Sequence, residues 1–447
     1  MNKIKLSFLS AAICFSLSST AGAEDLLTIY NLAAQHDPDI RAAYADRNAT
    51  RELKPQATSV LVPQISGQVN VTATDESVKT NLSDRDNSED FENFGYRLDL
   101  TQAVYHHDQW VGLKIADAQI GEAEAKYASA EQNLAFRVTD RYFNVLKAWE
   151  NLKFTRVEKE ATGSQLDQTK KRFEVGLISI TDVNEAQARY DLAVAQEIQA
   201  QNDISNTQEQ LRELTDKYHV TLNSVGDAFT LISPLPANID EWTDFAIKKN
   251  PDLKAVEYVM EAALENVNLQ RAGHYPTVDI VGNLTYDNSN KEGAFEPETE
   301  VNSISLQVSV PIFQGGIVSS KTREAAHQHE SAKEQLSRQR RLTVSQTRQA
   351  FLSVLASISR TRALEQAVKS NKSALDATKA GFDVGTRTIV DVLNAQQEYH
   401  RAIRDAAQER YTYIVNTIQL KQASGMLVKA DLQQINAWLS NRVLLTN

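Results

Sequence analysis

The sequence predicts a mainly α-helical fold in which long coiled-coil hairpins are combined with four β-strands per chain. Three observations predict this fold class: two long intervals without proline, four segments in which apolar and polar residues alternate, and a stretch near the C-terminus that repeats an earlier one. A length of 447 residues alone would favour two or three globular domains. The three patterns instead indicate one elongated, duplicated chain.

The repeated stretch reads RFEVGLISITDVNEAQARY at 172–190 and GFDVGTRTIVDVLNAQQEY at 381–399. The two copies align with Gly176 opposite Gly385, and four further pairs share the same offset: Phe173 and Phe382, Asp182 and Asp391, Gln187 and Gln396, Tyr190 and Tyr399. A second correspondence joins Asp37-Pro38 to Asn250-Pro251. The sequence therefore predicts an internal duplication that covers nearly the whole mature chain.

Each copy of the repeated stretch is predicted to be the tip of a helical hairpin. Gly176 and Gly385 lie where a helix must stop and reverse, which glycine does at little steric cost. A Ser or Thr stands three residues before each aspartate and begins the next helix as a capping box. Asp182 and Asp391 are thus helix caps first, and the second hypothesis is that the tips converge on a symmetry axis.

The distribution of proline predicts very long helices. No proline occurs between Pro63 and Pro234 or after Pro311, and both intervals are rich in strong helix formers. Long helices are expected over 107–172 and 315–381, each about 66 residues or roughly 100 Å. Shorter return helices are expected over 182–216 and 389–425, and shorter helices over 39–60 and 251–274 cover the remaining length. Residues at coiled-coil spacing form a predicted seam: Leu134, Val138, Tyr142, Val145, Trp149 and Leu152.

Four strands of roughly 10 to 12 residues are predicted, in two hairpins at 63–105 and 276–313. Apolar residues occupy every second position of each strand, and Gln, Ser, Asn and Thr fill most of the alternate positions. The acidic segments 75–90 and 287–300 are expected to be the hairpin loops. Aromatic residues lie near the strand ends: Phe94, Tyr105, Tyr275, Tyr286, Phe295 and Phe313.

A polar face with few charges, opposite an apolar face with aromatic ends, is typical of strands that separate lipid from a wet lumen. The smallest membrane barrels use about eight strands, and open edges are not tolerated in lipid. Four strands cannot close a barrel, so several copies of the chain must contribute. Two copies would supply eight strands and three would supply twelve, and closure alone does not choose between them.

The N-terminus is predicted to be a secretory signal peptide, residues 1–23. Lys3 and Lys5 precede an apolar run from Leu6 to Leu17, followed by Ala21-Gly22-Ala23. Cys14 is the only cysteine and lies in this segment, which excludes disulfides and cysteine ligands from the mature chain. The formal net charge of −11 becomes −13 when the two lysines are removed. Such an acidic chain is a poor partner for nucleic acid.

The predicted domain organisation has four parts. After the signal peptide, a first repeat spans 24–236, with a tip at 173–182. A second repeat spans 237–427, with a tip at 382–391. The tail, 428–447, is expected to meet residues 217–250 in an equatorial belt around the middle of the helices.

Several segments resemble the outer-membrane efflux and type I secretion duct family of Gram-negative bacteria, the outer membrane factors. They are Glu24-Asp25-Leu26-Leu27, the Asp37-Pro38 break, VPIFQGG at 310–316 and GTRTIVDVL at 385–393. The resemblance implies a homotrimer, with a twelve-stranded barrel in the outer membrane continued by a twelve-helix tunnel in the periplasm. It implies a passive exit duct, opened at its periplasmic tip by a periplasmic adaptor (membrane fusion protein) and an inner-membrane RND or ABC transporter.

The resemblance also implies which residues close the tunnel. By position, the links that hold the helices inward fall on Thr181, Asp182 and Arg387, and an acidic constriction ring, able to bind blocking cations, falls on Asp391. Two positions depart from the family pattern. Phe382 stands where the family has a tyrosine, and Asn394 stands where the family has a second acidic ring.

Catalytic and cofactor sites are not expected. The sequence has no GxSxG, HExxH or phosphate-loop pattern, and we expect no enzyme activity, no cofactor and no structural metal. A competing interpretation is a periplasmic coiled-coil adaptor or structural protein without a membrane barrel. It accounts for the helices and the signal peptide but not for the four alternating strands.

Overall fold

The computed structural model describes residues 24–78, 87–226, 228–289 and 298–445. The predicted signal peptide, the centres of both hairpin loops and Phe295 lie outside the described residues. In chain order the elements are α1 Leu26–His36, α2 Pro38–Arg51, α3 Leu53–Ser59, β1 Gln64–Val78, β2 Asn87–Tyr105, α4 His107–Glu174, α5 Ile180–Thr215, β3 Thr221–Val225, α6 Ile239–Lys249, α7 Pro251–Ala272, β4 Thr277–Ser289, β5 Thr299–Ser309, α8 Ile317–Asp383, α9 Ile389–Ala423, α10 Lys429–Asn436 and β6 Leu439–Leu444.

Two very long helices dominate the chain, as the proline-free intervals predict. Helix α4 has 68 residues and α8 has 67, which makes each about 100 Å long. Each long helix reverses at its tip into a return helix of roughly half its length, α5 or α9. The short helix α7 packs against the parts of α4 and α8 that lie nearest the sheet. Within the described ranges, none of the helices is both long and apolar enough to cross a membrane.

The helix expected over 39–60 is instead two helices, which meet at Glu52. Pro55 accounts for this interruption, which lies three residues before the proline itself. Proline lacks an N–H and its ring collides with the carbonyl four residues before it, which here belongs to Arg51. Arg51, the last residue of α2, is therefore the residue whose carbonyl receives no hydrogen bond from Pro55.

The four predicted strands form one antiparallel sheet in the order β1-β2-β4-β5. The strands are longer than expected, since β1 has 15 residues and β2 has 19. The strands extend into both ends of the acidic segments that were predicted to be loops. Val78 pairs with Asn87 in the first segment, and Asp287 pairs with Thr299 in the second. Alternation in these segments is obscured by acidic residues on both faces, which is why sequence pattern ended the strands too early. Among the described residues, β1 and β5 each have one edge without a strand partner.

One face of this sheet is apolar across all four strands. The register aligns Val69 with Tyr96 and Tyr96 with Tyr286, and it aligns Ile280 with Leu306. The Tyr96 and Tyr286 rings stack with centroids 5.1 Å apart. These side chains point away from the rest of the chain: Ile65 and Val69 are both 67% exposed. A face this apolar and this exposed needs a cover that one copy of the chain does not supply.

The main hydrophobic core lies around the middle of α4. Tyr142 and Phe143 are fully buried there, beside Tyr411 and Ile414 of α9. The predicted seam residues are buried or partly buried in this core. The seam also contacts the predicted equatorial belt. There, the Tyr142 hydroxyl donates to the Asn223 carbonyl at 2.5 Å.

The belt is formed by the segments that the sequence predicts for it. Strand β3, from the 217–250 segment, pairs antiparallel with β6 of the tail. The Trp149 indole N–H of α4 donates to the Leu444 carbonyl of β6 at 3.0 Å. The chain segment that begins at Glu24 joins the same sheet, since the Glu24 amide donates to the Thr221 carbonyl at 3.0 Å. The two ends of the described chain therefore meet at the middle of the long helices.

The alanine-rich part of α4 is closely packed. Ala116, Ala118 and Ala125 are buried. A Cβ placed on Gly121 would lie 2.7 Å from the Tyr258 ring of α7. Small residues therefore let α4 and α7 approach in the part of the bundle nearest the sheet.

Candidate gate at the hairpin tips

The first tip joins α4 to α5 through a left-handed glycine. Gly176 has a φ of +74°, and its amide donates to the Phe173 carbonyl at 2.9 Å. The Leu177 amide reaches back to the Arg172 carbonyl, also at 2.9 Å. These two bonds form a Schellman motif, which satisfies the last carbonyls of α4.

The second tip repeats this geometry between α8 and α9. Gly385 has a φ of +80°, its amide donates to the Phe382 carbonyl at 3.0 Å, and the Thr386 amide donates to the Gly381 carbonyl at 2.8 Å. Gly176 and Gly385 both adopt the left-handed conformation between a long helix and its return helix. An alanine at either position would be strained, because a residue with a Cβ is disfavoured in the left-handed conformation.

The two tip aspartates cap the return helices. Asp182 accepts hydrogen bonds from the Ser179 amide and hydroxyl, both at 2.9 Å. Asp391 accepts from the Thr388 amide at 2.9 Å and from its hydroxyl at 2.8 Å. These bonds, and the neighbouring Arg387 charge, hold the pKa of the Asp391 carboxyl below its ordinary value. Asp391 is therefore an ionised, solvent-facing group at the tip of a single chain.

Arg387 lies folded back over the end of α8. A Cβ on Gly381 would lie 2.8 Å from the Arg387 Cγ, so the absence of a side chain there makes room for the arginine stem. Within the described part of one chain, Arg387 and Asp182 form no ion pair, and the Asp182 carboxylate is already occupied by its own cap. Thr181, Asp182 and Arg387 are all exposed to solvent.

Two contacts, neither predicted from the sequence, join the two hairpins near their tips. The Arg172 guanidinium of α4 lies over the Phe382 ring of α8, 5.0 Å from its centroid. The Arg189 guanidinium of α5 donates to the Asn394 side-chain carbonyl of α9 at 2.9 Å. Arg189 is also 3.2 Å from Glu185, one turn earlier on its own helix. A third link, further from the tips, runs from the Gln397 amide to Glu158 at 2.9 Å.

The predicted site residues thus fall into two groups. Phe382 and Asn394, the two departures from the family pattern, contact the other hairpin of the same chain. Thr181, Asp182, Arg387 and Asp391 make no such contact within the described residues. Arg172 and Arg189 make the contacts with this first group, and the sequence analysis did not identify them. Gly381 stands opposite Arg172 and Glu398 opposite Arg189 in the aligned stretches, and since about half of the aligned positions differ, this difference did not single them out.

The tips of one chain do not form a metal centre. Among the described residues, no cluster of three or more His, Cys, Asp or Glu side chains is arranged to hold an ion. A cation site built on Asp391 would require the same residue from further copies. The candidate site of one chain is therefore a latch between two hairpins.

Comparisons with known proteins agree with this architecture. Residues 29–216 and 242–426 match the family described as "Outer membrane efflux protein". The "Outer membrane protein TolC" of Vibrio cholerae is 38% identical over 98% of this chain and 99% of its own length. The "Alkaline protease secretion protein AprF" of Pseudomonas aeruginosa is 27% identical over 97% of this chain and 91% of its own length.

A solved structure gives the same fold at low sequence identity. The Campylobacter jejuni CmeC outer membrane channel superposes with a TM-score of 0.77 at 16% identity, over 94% of this chain and 90% of that one. Long hairpins joined to an edge-open sheet, with paired tips, define the class of outer-membrane channel subunits. The family match is more particular than that class. The chain belongs to the outer membrane efflux protein family.

Proposed function

We propose that this chain forms the outer-membrane channel of efflux pumps and type I secretion systems, extending from the outer membrane into the periplasm. The family membership carries this function, and relatives named for efflux, TolC and protease secretion support its two branches. The channel is a passive duct, and energy comes from an inner-membrane RND or ABC transporter coupled through a periplasmic adaptor. No finding favours the adaptor interpretation of the chain itself.

The channel is proposed to be a homotrimer. The open edges of β1 and β5 would pair between neighbouring copies, so that three four-stranded sheets give twelve strands. The exposed apolar face of each sheet then faces lipid, and the polar face lines the lumen. Helices α4, α5, α8 and α9 of three copies supply the twelve helices of the tunnel. The internal duplication is part of this proposal, because it gives each copy two equivalent hairpins.

The tunnel entrance is proposed to close at the tips. Within each copy, Arg172 with Phe382 and Arg189 with Asn394 hold the two hairpins together. Between copies, Arg387 of one tip meets Asp182 and Thr181 of the next, since these side chains have no partner on the other hairpin of their own chain. Three copies of Asp391 around the axis form an acidic ring, which attracts cations and narrows the entrance.

A deletion and complementation experiment tests the proposed function. Removal of the gene from its host should raise sensitivity to hydrophobic antibiotics at least several-fold, and the full chain should restore resistance. A variant lacking the β1–β2 hairpin, residues 64–105, should not restore it. Complementation by that variant, or release of the native protein by osmotic shock instead of recovery in the outer-membrane fraction, would contradict the proposal.

A further inference from the structure

The belt contains an apolar cavity of about 190 Å³ that the channel function does not use. Its floor is formed by side chains from α8, α9 and α10, including Val354, Ile418 and Ile435, all of which are at least 95% buried. One wall is the 232–235 loop, in which Leu235 is 78% exposed at the mouth. The cavity opens on the surface of the belt, about midway along the long helices.

Aromatic rings flank the cavity. Trp242 and Tyr413 are 3% and 1% exposed, and Trp438 of the tail also lines the cavity. Trp438 is held in place by an edge-to-face contact with Phe229, at 5.5 Å between centroids. Rigid aromatic walls favour a flat ring as the occupant, by offset stacking and edge contacts.

Three polar side chains of the wall are already bonded to the protein. The Tyr413 hydroxyl donates to the Ile232 carbonyl at 2.8 Å, and the Trp242 indole donates to the Pro236 carbonyl at 2.8 Å. The Thr417 hydroxyl donates to the Tyr413 carbonyl at 2.9 Å. A water molecule on the floor would need two to four polar partners and finds these groups occupied. An apolar cavity of about 150 Å³ in another protein stays dry and binds benzene, so this volume suits a ligand with one substituted ring.

The mouth adds one charged feature. Lys421 forms an ion pair with Asp431, whose other oxygen accepts from the Val428 amide at 2.9 Å. An ammonium group has three N–H donors, and Asp431 is the one acceptor it meets among the described side chains. A ligand whose ring lies on the apolar floor can place an acceptor, best an anionic one, against the remaining donors.

We propose that this belt cavity binds small aromatic carboxylates, with the ring between Trp242 and Trp438 and the carboxylate on Lys421. A ligand held there joins α9, α10 and the 232–235 loop. It stabilises the belt by mass action, because binding is lost when the belt unfolds. The site is distinct from the hairpin tips and does not depend on the gate.

Calorimetric titration of the detergent-purified full-length protein tests the proposal, with benzoate as the probe and toluene as its uncharged analogue. Saturable benzoate binding is expected, with quenching of tryptophan fluorescence. Lys421→Met should weaken benzoate binding about tenfold, the effect of losing one charge-assisted hydrogen bond. The same variant should leave toluene binding within about twofold of the unaltered protein.

A cavity-filling substitution provides a second test of the proposal. Thr417→Phe places a ring in the cavity and should abolish binding of both probes. Thr412→Phe is the matched control, because Thr412 lies on the same helix, makes the same kind of backbone bond at 3.0 Å and does not line the cavity. Absence of saturable benzoate binding, or undiminished binding in Thr417→Phe, would overturn the proposal. If Thr417→Phe does not fold, the Lys421→Met comparison decides alone.

Discussion

At the scale of single residues, the tips combine two kinds of contact that act in different places. Arg189 and Asn394 join the two hairpins within one chain, whereas Arg387 and Asp182 are exposed and contact only their own hairpin among the described residues. The aspartates keep each tip folded as caps and present charge at the same time. A substitution at a cap is therefore expected to affect folding as well as the proposed gate. A substitution at Arg387 is expected to affect the proposed contact between copies and, through the lost charge, the pKa of Asp391.

Arg387→Ser is predicted to open the entrance. An exposed ion pair contributes about 0.5 kcal/mol, so three copies contribute roughly 1.5 kcal/mol, equivalent to about a tenfold change in the open population. Single-channel recordings in planar bilayers should show that rise in the closed-state conductance. Arg340→Ser, an exposed arginine far from the tips, is the control and should change nothing. Unaltered conductance in Arg387→Ser would mean that other residues form the lock.

Asn394→Asp is predicted to strengthen cation block. With Asn394, the entrance has the charge of the Asp391 ring alone, and the substitution adds a second acidic position one turn away. The three added carboxylates each lie beside the Arg189 guanidinium that now bonds Asn394, which offsets part of their charge. Their combined effect is roughly 1 kcal/mol, so block by a divalent cation should tighten about fivefold at low salt. The unaltered protein should correspondingly be blocked more weakly than a relative with two acidic rings. Equal block in the two would refute the role given to Asn394.

Glu150→Gln is predicted to change stability with pH. Burial raises the pKa of the Glu150 carboxyl, with Lys153 acting in the opposite direction. Ionisation is thus less favourable in the folded state, so the stability given by the protonated acid is complete below pH 4.5 and is lost as the pH rises through the folded pKa. The variant should melt at a higher temperature than the unaltered protein at pH 8 and at the same temperature at pH 4. Glu160→Gln, on the exposed side of α4, should show no such divergence by circular dichroism.

At the scale of elements, sequence pattern predicted most of the helices, because proline position and capping signals are local. The ends of α4 and α8 fall within two residues of the predicted ends. The lengths of the strands were predicted less accurately, because acidic residues in the hairpins interrupt the alternation of apolar and polar residues. The cross-hairpin latch was not predicted at all. Arg172 and Arg189 find their partners more than 200 positions away in the sequence, and only the folded arrangement of α4, α5, α8 and α9 brings them together.

Gly385→Ala is predicted to weaken the second tip. At a φ of +80° a Cβ costs about 1 kcal/mol of stability, and the reversal between α8 and α9 loosens. Gly112→Ala is a matched control within α4, where an added Cβ meets nothing within 4 Å. It should stabilise the helix by about 0.5 to 1 kcal/mol. Hydrogen exchange at the tip should rise in Gly385→Ala and not in Gly112→Ala, and equal protection in both would contradict the turn assignment.

At the scale of the whole molecule, one chain exposes surfaces that another copy of the chain or lipid would cover. Among the described residues, the apolar sheet face is exposed, β1 and β5 each have one edge without a strand partner, and Thr181, Asp182 and Arg387 are exposed at the tips. All three features are accounted for by copies arranged around one axis. The number of copies does not follow from the fold of a single chain, since eight and twelve strands both close a barrel. The number three is part of our proposal and rests on the resemblance to the outer membrane factors.

Electron microscopy of the detergent-extracted protein shows whether three copies of the chain assemble into one channel. We expect a three-fold symmetric hollow cylinder, with a helical part of about 100 Å that narrows at one end and a shorter barrel at the other. Subunit boundaries in the barrel should fall between β5 of one copy and β1 of the next. A monomeric particle, or a closed assembly of two copies, would contradict the account.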